Sequence, residues 1–308
     1  MGSHHGAECP ARGEPWGART HEWTPARVSA NPDQYGVIGH PIAHSWSPFI
    51  HGLFARQTGE PLIYRLHDVT PDLFRSYVLE FFSRGGRGLN VTVPHKVAAA
   101  NLANELTPRA ERAGAVNTLA VRPENRVLGD NTDGAGLVHD LRDNLSVDIA
   151  QRRVLIIGAG GATRGVLAPL LMLQPAALVV ANRTPQRAHA LASTFADLGA
   201  VRGCGFEDLE AAKFDVIINA TSASLSGEVP AVPAAVISHD TVCYDMAYGR
   251  SDTPFVRWAR EHGCARALQG WGMLVEQAAE SFCLWRGVRP QTAPVLAALP
   301  RDGSPSPH

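Results

Sequence analysis

The stretch NVTVPHK, residues 90–96, ends on a lysine in an unfavourable place. Val91 and Val93 alternate with Asn90 and Thr92 as in a half-buried strand, and Pro94 leads into the helix-forming run KVAAANLANEL. Lys96 therefore falls in the first turn of a helix, the positive end of the dipole, where a cation costs stability. Such a place disfavours the ammonium and suits an amine that must give and take a proton. A solvent-facing lysine on an amphipathic helix explains the same residue, and spacing alone does not separate the two. Downstream, GDNTDGAGL carries Asp130 and Asp133. Asp133 precedes a helix-like stretch, so it is either an N-cap or the carboxylate that orients Lys96 and shares its proton.

Two hydroxyls and one amide could hold a polar ligand. In HSWSPF, Ser45 and Ser47 lie two apart at a helix start, with Ser47 as the expected N-cap and Pro48 at the first helical position. The capping role suffices for Ser47, yet two hydroxyls beside free N–H groups also make a seat for a carboxylate. In the last long helix, Leu274, Gln277, Ala278, Ser281, Phe282 and Trp285 share one face. Gln277 thus sits on an apolar stripe and needs partners, either within the core or on a ligand.

A glycine-rich turn offers a second kind of chemistry. VLIIGAGGATRG is an apolar strand, then Gly158, Gly160 and Gly161, then a helix. In a dinucleotide fingerprint the first glycine permits the tight turn and the second lets the backbone approach a pyrophosphate at the helix N-terminus. The third position is Thr163, so the match is incomplete, and a plain strand-turn-helix joint is the bland alternative. The following strand ends VVANRTPQR, without the acid that would accept bonds from a ribose 2′-hydroxyl. Arg183 and Arg187 suit a 2′-phosphate, with Asn182 and Thr184 adding neutral contacts, which predicts NADP rather than NAD. Solvated surface arginines are the competing explanation.

The elements that must position these groups alternate. Strands are expected at QYGVIG, LIYRLHDV and GRGLNVTV, with helices between them, then a hairpin turning at Pro123–Asn125. A second alternating block begins at RRVLIIG and runs through ALVVAN, DVIINAT and TVCYDM to the helix GMLVEQAAESFCLWRG. The pattern predicts an α/β protein of mostly parallel sheets, with boundaries in the helix after Asp133 and the loop before Gly270. A length of 308 residues supports two domains, and a net charge of −1 without a basic stripe argues against a nucleic-acid partner. No apolar run reaches membrane-spanning length. The five cysteines are scattered without CxxC spacing, and the histidines show neither HxxxH nor HExxH, so reduced thiols in a cytoplasmic protein without a metal are expected. The opening MGSHH resembles a tag remnant, and residues 1–30 and the tail PRDGSPSPH are expected to be disordered.

Taken together, GHPIAHSWSPFIH, GLNVTVPHK, AGAVNTL, GDNTDG, GAGGATRG, NRTPQR, CYDMAY and GMLVEQAA resemble, in order, the motifs of shikimate dehydrogenases over residues 34–290. The resemblance implies an N-terminal α/β substrate domain (31–134 with 270–300) and a Rossmann-like NADP-binding domain (135–269). The active site would lie in the cleft between them, in a monomer or homodimer. It implies NADP-dependent interconversion of 3-dehydroshikimate and shikimate, with Lys96 and Asp133 as the catalytic pair. Ser45 and Ser47 would hold the carboxylate, and Thr92, Asn117, Tyr248 and Gln277 would contact the ring hydroxyls or carboxylate. Gly158, Ala159, Gly160, Gly161 and Ala162 would cradle the pyrophosphate, and the loop from Asn182 through Arg183 and Thr184 to Arg187 the 2′-phosphate. Thr221, Met246 and Gly270 would lie near the ribose and nicotinamide. The chain departs from the family at Thr107–Pro108, where an acid near the cofactor edge is expected. Rival readings are a quinate/shikimate enzyme, against which Ser47 stands where quinate enzymes often carry threonine, and a non-catalytic sensor, against which Lys96 and Asp133 are both present.

Overall fold

The computed structural model describes residues 32–209 and 213–299; the expected disorder of residues 1–30 and of the tail lies outside them. Two six-stranded sheets organise the chain. The first is built from β1 (Asp33–Gly39), β2 (Leu62–Asp68), β3 (Gly86–Val91), β4 (Glu105–Leu106), β5 (Thr118–Val121) and β6 (Val127–Asp130). Between them run α1 (Ser47–Thr58), α2 (Phe74–Ser83), α3 (Lys96–Leu102) and α4 (Pro108–Ala113), and α5 (Asp133–His139) follows. In the order β2-β1-β3-β5-β6-β4 the β1–β2, β1–β3 and β4–β6 pairings are parallel, and the expected β5–β6 hairpin runs antiparallel both within itself and against β3.

The second sheet holds β7 (Arg153–Ile157), β8 (Ala177–Ala181), β9 (Val201–Cys204), β10 (Val216–Asn219), β11 (Val242–Asp245) and β12 (Arg266–Gln269). All its pairings are parallel, in the order β12-β11-β10-β7-β8-β9. This is the doubly wound arrangement, with the switch point between β7 and β10. Its helices are α6 (Gly161–Met172), α7 (Pro185–Phe195) and α8 (Pro254–Glu261). The run Val154–Ile157 is apolar at every position because β7 is covered on both faces. Val154 and Ile156 pack with Leu167 and Leu170 of α6, whereas Leu155 and Ile157 pack with Phe255 and Val256 of α8.

After β12 the chain returns to the first sheet. α9 (Trp271–Arg286) and α10 (Ala293–Ala298) bury Val275, Ala278 and Phe282 against Ile50 and Phe54 of α1. Trp285 Nε1 donates to the Leu119 carbonyl at 3.0 Å, fixing α9 across β5. Arg286 closes the far end on Asp33 and Glu60.

Three local expectations need correction. β3 ends at Val91 and lies inside the sheet, so the alternation at 90–93 is not half-buried: Asn90 is buried and Val93 is half exposed. The helix-forming run after Lys96 stops at Leu102, and Glu105–Leu106 instead pairs in parallel with β6. Ser47 is not an N-cap; Trp46 occupies that position without a side-chain cap, and Ser47 opens α1.

Candidate active site

The strand ends of both sheets face one cavity of about 220 Å³. On the first-sheet side it is lined by Ser45, Ser47, Thr92, Lys96, Asn117, Asp133 and, from α9, Gln277. On the second-sheet side lie Ala162, Thr221, Met246, Tyr248 and Gly270. Every residue expected at the substrate and nicotinamide is thus in one wall or the other.

Lys96 is positioned by the turn after β3. The Thr92 N–H donates to the Ile38 carbonyl (3.0 Å) and the His95 N–H to the Thr92 carbonyl (2.9 Å). The His95 ring lies buried on Phe74, with Nε2 2.7 Å from the Val69 carbonyl. Lys96 then opens α3, and its Nζ donates to Asp133 Oδ2 at 2.5 Å, with only 15% and 6% of the two side chains exposed. Asp133 opens α5 and caps nothing with its side chain, since its other oxygen accepts from Asn117 Nδ2 at 2.8 Å. An aspartate at a helix N-terminus is favoured by the dipole that disfavours Lys96. Of the two acids weighed, Asp130 is turned away: it is clamped by Arg109 and accepts from Thr107 Oγ1 (2.6 Å). Burial opposes its charge, but Arg109 and Thr107 hold its carboxyl below the usual range. Thr107, at the family departure, is the N-cap of α4.

Asn117 links the pair to α9. Its Nδ2 also reaches Thr132 Oγ1 (2.9 Å) and Gln277 Oε1 (3.3 Å), while Gln277 Nε2 donates to its own helix at Leu274. The serines form a local unit: Ser45 Oγ donates to Ser47 Oγ at 3.1 Å and accepts from the Ser47 N–H at 3.3 Å. Tyr248 closes this end with its hydroxyl against Ser45 and the Trp46 backbone, and burial pushes its phenol up to about 12.

Behind this wall stands a layer that sequence reasoning left without a role. Tyr64 Oη donates to Asn90 Oδ1 (2.7 Å), and Asn90 Nδ2 donates to Ser281 Oγ (2.9 Å) and Thr118 Oγ1 (3.1 Å). Asn90 also lines the cavity. The signal was a polar residue between Leu89 and Val91 at the end of β3, but only the sheet order shows that this phase faces inward.

The glycine-rich turn lies beyond Ala162. Gly158 has φ +107°, which a side chain rarely tolerates, and its N–H donates to the Ala181 carbonyl (2.7 Å). Gly160 precedes α6 with open space above it, and Gly161 begins the helix, whose first-turn N–H groups lack intrahelical acceptors. The missing third fingerprint glycine has a physical reason. Thr163 is buried and donates to the Gly158 carbonyl (2.8 Å), while the close approach falls two residues later. A Cβ on Gly165 would stand 2.7 Å from Asn131 Oδ1. Asn182 braces this turn, accepting from the Ala159 N–H (3.2 Å) and donating to the Thr184 carbonyl (3.0 Å). Arg183 and Arg187 are exposed beside it and pair with no carboxylate among the described residues. A dinucleotide phosphate fits this set: open backbone donors at a helix start, with two uncommitted guanidinium groups after β8.

Comparison with known proteins decides the family. The model of the shikimate dehydrogenase substrate binding domain matches residues 37–119. That of shikimate / quinate 5-dehydrogenase matches 140–229, and that of the shikimate 5′-dehydrogenase C-terminal domain 270–299. The shikimate dehydrogenase (NADP(+)) of Methylococcus capsulatus is 58% identical over 268 residues, covering 87% of this chain and 96% of that one. This chain belongs to the shikimate dehydrogenase family. Among solved structures, an Ael1 enzyme from Pseudomonas putida superposes with a TM-score of 0.80 at 46% identity, covering 87% of this chain and 98% of that one. The shikimate 5-dehydrogenase of Thermus thermophilus, solved in complex with NADP(H) and shikimate, gives 0.76 at 32% identity, covering 86% and 98%. The α/β class and the Rossmann-like second sheet agree with these relatives.

Proposed function

We propose that this chain interconverts 3-dehydroshikimate and shikimate with NADP. The observation that carries the proposal is the Lys96–Asp133 pair, set in one cavity with Ser45 and Ser47 on its own side and with Thr221 and Met246 opposite. NADP, when bound, supplies or takes the hydride. In reduction Lys96 holds the ketone oxygen through its ammonium, stabilises the charge growing there and delivers the proton. Asp133 orients Lys96 and relays that proton; in oxidation Lys96 takes the proton from the substrate hydroxyl as the hydride leaves the carbon, and Asp133 passes the proton on. Ser45 and Ser47 donate to the substrate carboxylate. Thr92, Asn117, Tyr248 and Gln277 contact its ring hydroxyls or carboxylate, which fixes the reacting carbon against the nicotinamide end of the cleft.

The same reading gives Gly158, Ala159, Gly160, Gly161 and Ala162 the pyrophosphate, Asn182 through Arg187 the 2′-phosphate, and Thr221, Met246 and Gly270 the nicotinamide side. It assigns residues 31–134 and 270–300 to substrate binding and 135–269 to the nucleotide. It places the protein in the cytoplasm. Cys204, Cys243 and Cys264 are free, buried thiols, whereas Cys283 is disulfide-bonded, against the expectation of reduced thiols throughout. No described helix is long and apolar enough to cross a membrane.

The test is the absorbance of reduced cofactor on mixing the protein with shikimate or quinate and NADP or NAD. A strong signal with shikimate and NADP alone supports the reading. Equal signals with quinate or NAD replace it with a dual-specificity enzyme, and silence in all four pairings overturns it.

A further inference from the structure

A second cavity adjoins the first on the outer side of the serines. It is lined by Ser45, Trp46 and Phe49 from the first-sheet side and by Tyr248 and Arg250 from the second. His44, Ser45 and Tyr248 line both cavities, so they form the partition between this vestibule and the substrate cavity. Arg250 is exposed, and its guanidinium lies 5.7 Å above the Trp46 ring. It has no carboxylate partner among the described residues, whereas the other cation of this region, Lys96, is committed to Asp133.

The platform under Arg250 is itself braced. Trp46 meets Phe49 and Trp271 edge to face at 5.8 and 5.9 Å, Trp271 Nε1 donates to the Gly249 carbonyl (3.3 Å), and Tyr248 packs on Trp271 at 4.7 Å. A guanidinium stacked on an indole keeps its N–H edge free, and that edge matches a carboxylate in geometry and charge.

We infer that Arg250, held over Trp46, is a positioning cation at the mouth of the cleft that draws the substrate carboxylate inward to Ser45 and Ser47. The inference rests on the proposed function. Arg250 acts on arrival and binding, since it stands outside the cavity that holds Lys96. Its influence is electrostatic and therefore screened by salt.

The experiment compares Arg250→Gln and Arg250→Lys with the unaltered chain, using shikimate and its uncharged methyl ester. At low ionic strength Arg250→Gln should raise KM for shikimate about 3- to 10-fold, with kcat within about 2-fold. The difference should close near 1 M salt, where the Debye length is about 3 Å. Arg250→Lys should keep the salt dependence, and the ester should show equal KM in all three proteins. An unchanged KM for shikimate, or a shift as large for the ester as for the acid, overturns the inference and leaves Arg250 a structural prop. Absence of turnover by the unaltered chain overturns the functional reading itself, and this inference with it.

Discussion

Lys96 and Asp133, 37 positions apart, are each the first residue of a helix, and their side chains meet at 2.5 Å. One helix start repels its cation and the other attracts its anion, so the lysine sits against its dipole only because the aspartate faces it. Neither residue can be replaced without leaving the other nearly buried and unpaired, a costly state.

The pair gives the first prediction. Lys96→Ala should lower kcat about 10²- to 10⁴-fold, the range expected for loss of a positioned acid and charge stabiliser, with little change in KM for shikimate. Asp133→Asn should also be slow, and the double variant little slower than Lys96→Ala, because the two act as a unit. Steady-state kinetics on the four proteins decides this; raised KM with normal turnover would sink the assignment.

The serine seat should act on binding. Ser47→Ala removes a hydroxyl that neighbours Ser45 Oγ at 3.1 Å. Loss of one bond to a carboxylate is worth about 2 kcal/mol, so KM for shikimate should rise about 30-fold with kcat changed only a few-fold. A loss confined to kcat would place Ser47 in the chemistry instead.

Cofactor choice should follow the loop after β8. The double substitution Arg183→Gln with Arg187→Gln should raise KM for NADP about 10- to 100-fold and leave weak use of NAD unchanged, since only the 2′-phosphate is lost as a partner. Comparing kcat/KM for the two cofactors checks it; parallel losses for both would return the arginines to the solvated surface.

The fourth prediction concerns stability. His51 of α1 is fully buried, neither ring nitrogen has a hydrogen-bond partner, and its ring stacks on Tyr64 at 4.2 Å. Burial lowers its pKa to about 3. Below pH 6.5 the unfolded chain therefore takes up a proton that the folded chain refuses until about pH 3. Stability is full above pH 6.5 and falls with pH by about 1.4 kcal/mol per unit through that window, or about 2 kcal/mol at pH 5. Urea unfolding of the unaltered chain and His51→Leu at pH 7 and pH 5 should show the variant's loss over that interval smaller by about this amount. Equal losses would mean that His51 is protonated or solvated in the fold.

Much of the site was legible because its geometry is local. The positive-φ turn at Gly158, the helix starts at Lys96 and Asp133 and the loop arginines after β8 each depend on neighbours within a few residues. Position in the sheet was not legible. The alternation at 90–93 looks the same in an edge strand and an inner one, and only pairing of β3 with both β1 and β5 turns Asn90 inward to Tyr64 and Ser281. The shift of the close approach to Gly165 arises from the packing of α6 on Asn131, a contact across more than thirty positions, whereas the bond from Thr163 to the Gly158 carbonyl is local.

The sequence by itself determined the residue types, the order of the elements, the two glycine and arginine motifs and, through their succession, the family. Only the tertiary structure decided that Asp133 faces Lys96 while Asp130 turns to Arg109, that Gln277 returns on α9 to Asn117, and that Arg250 stands over Trp46 beside Ser45. The reason is physical: helix starts and turns are set by bonds between near neighbours, whereas these pairings form only when two sheets and a returning helix are packed, and no local term encodes which acid, amide or cation that packing will bring into reach.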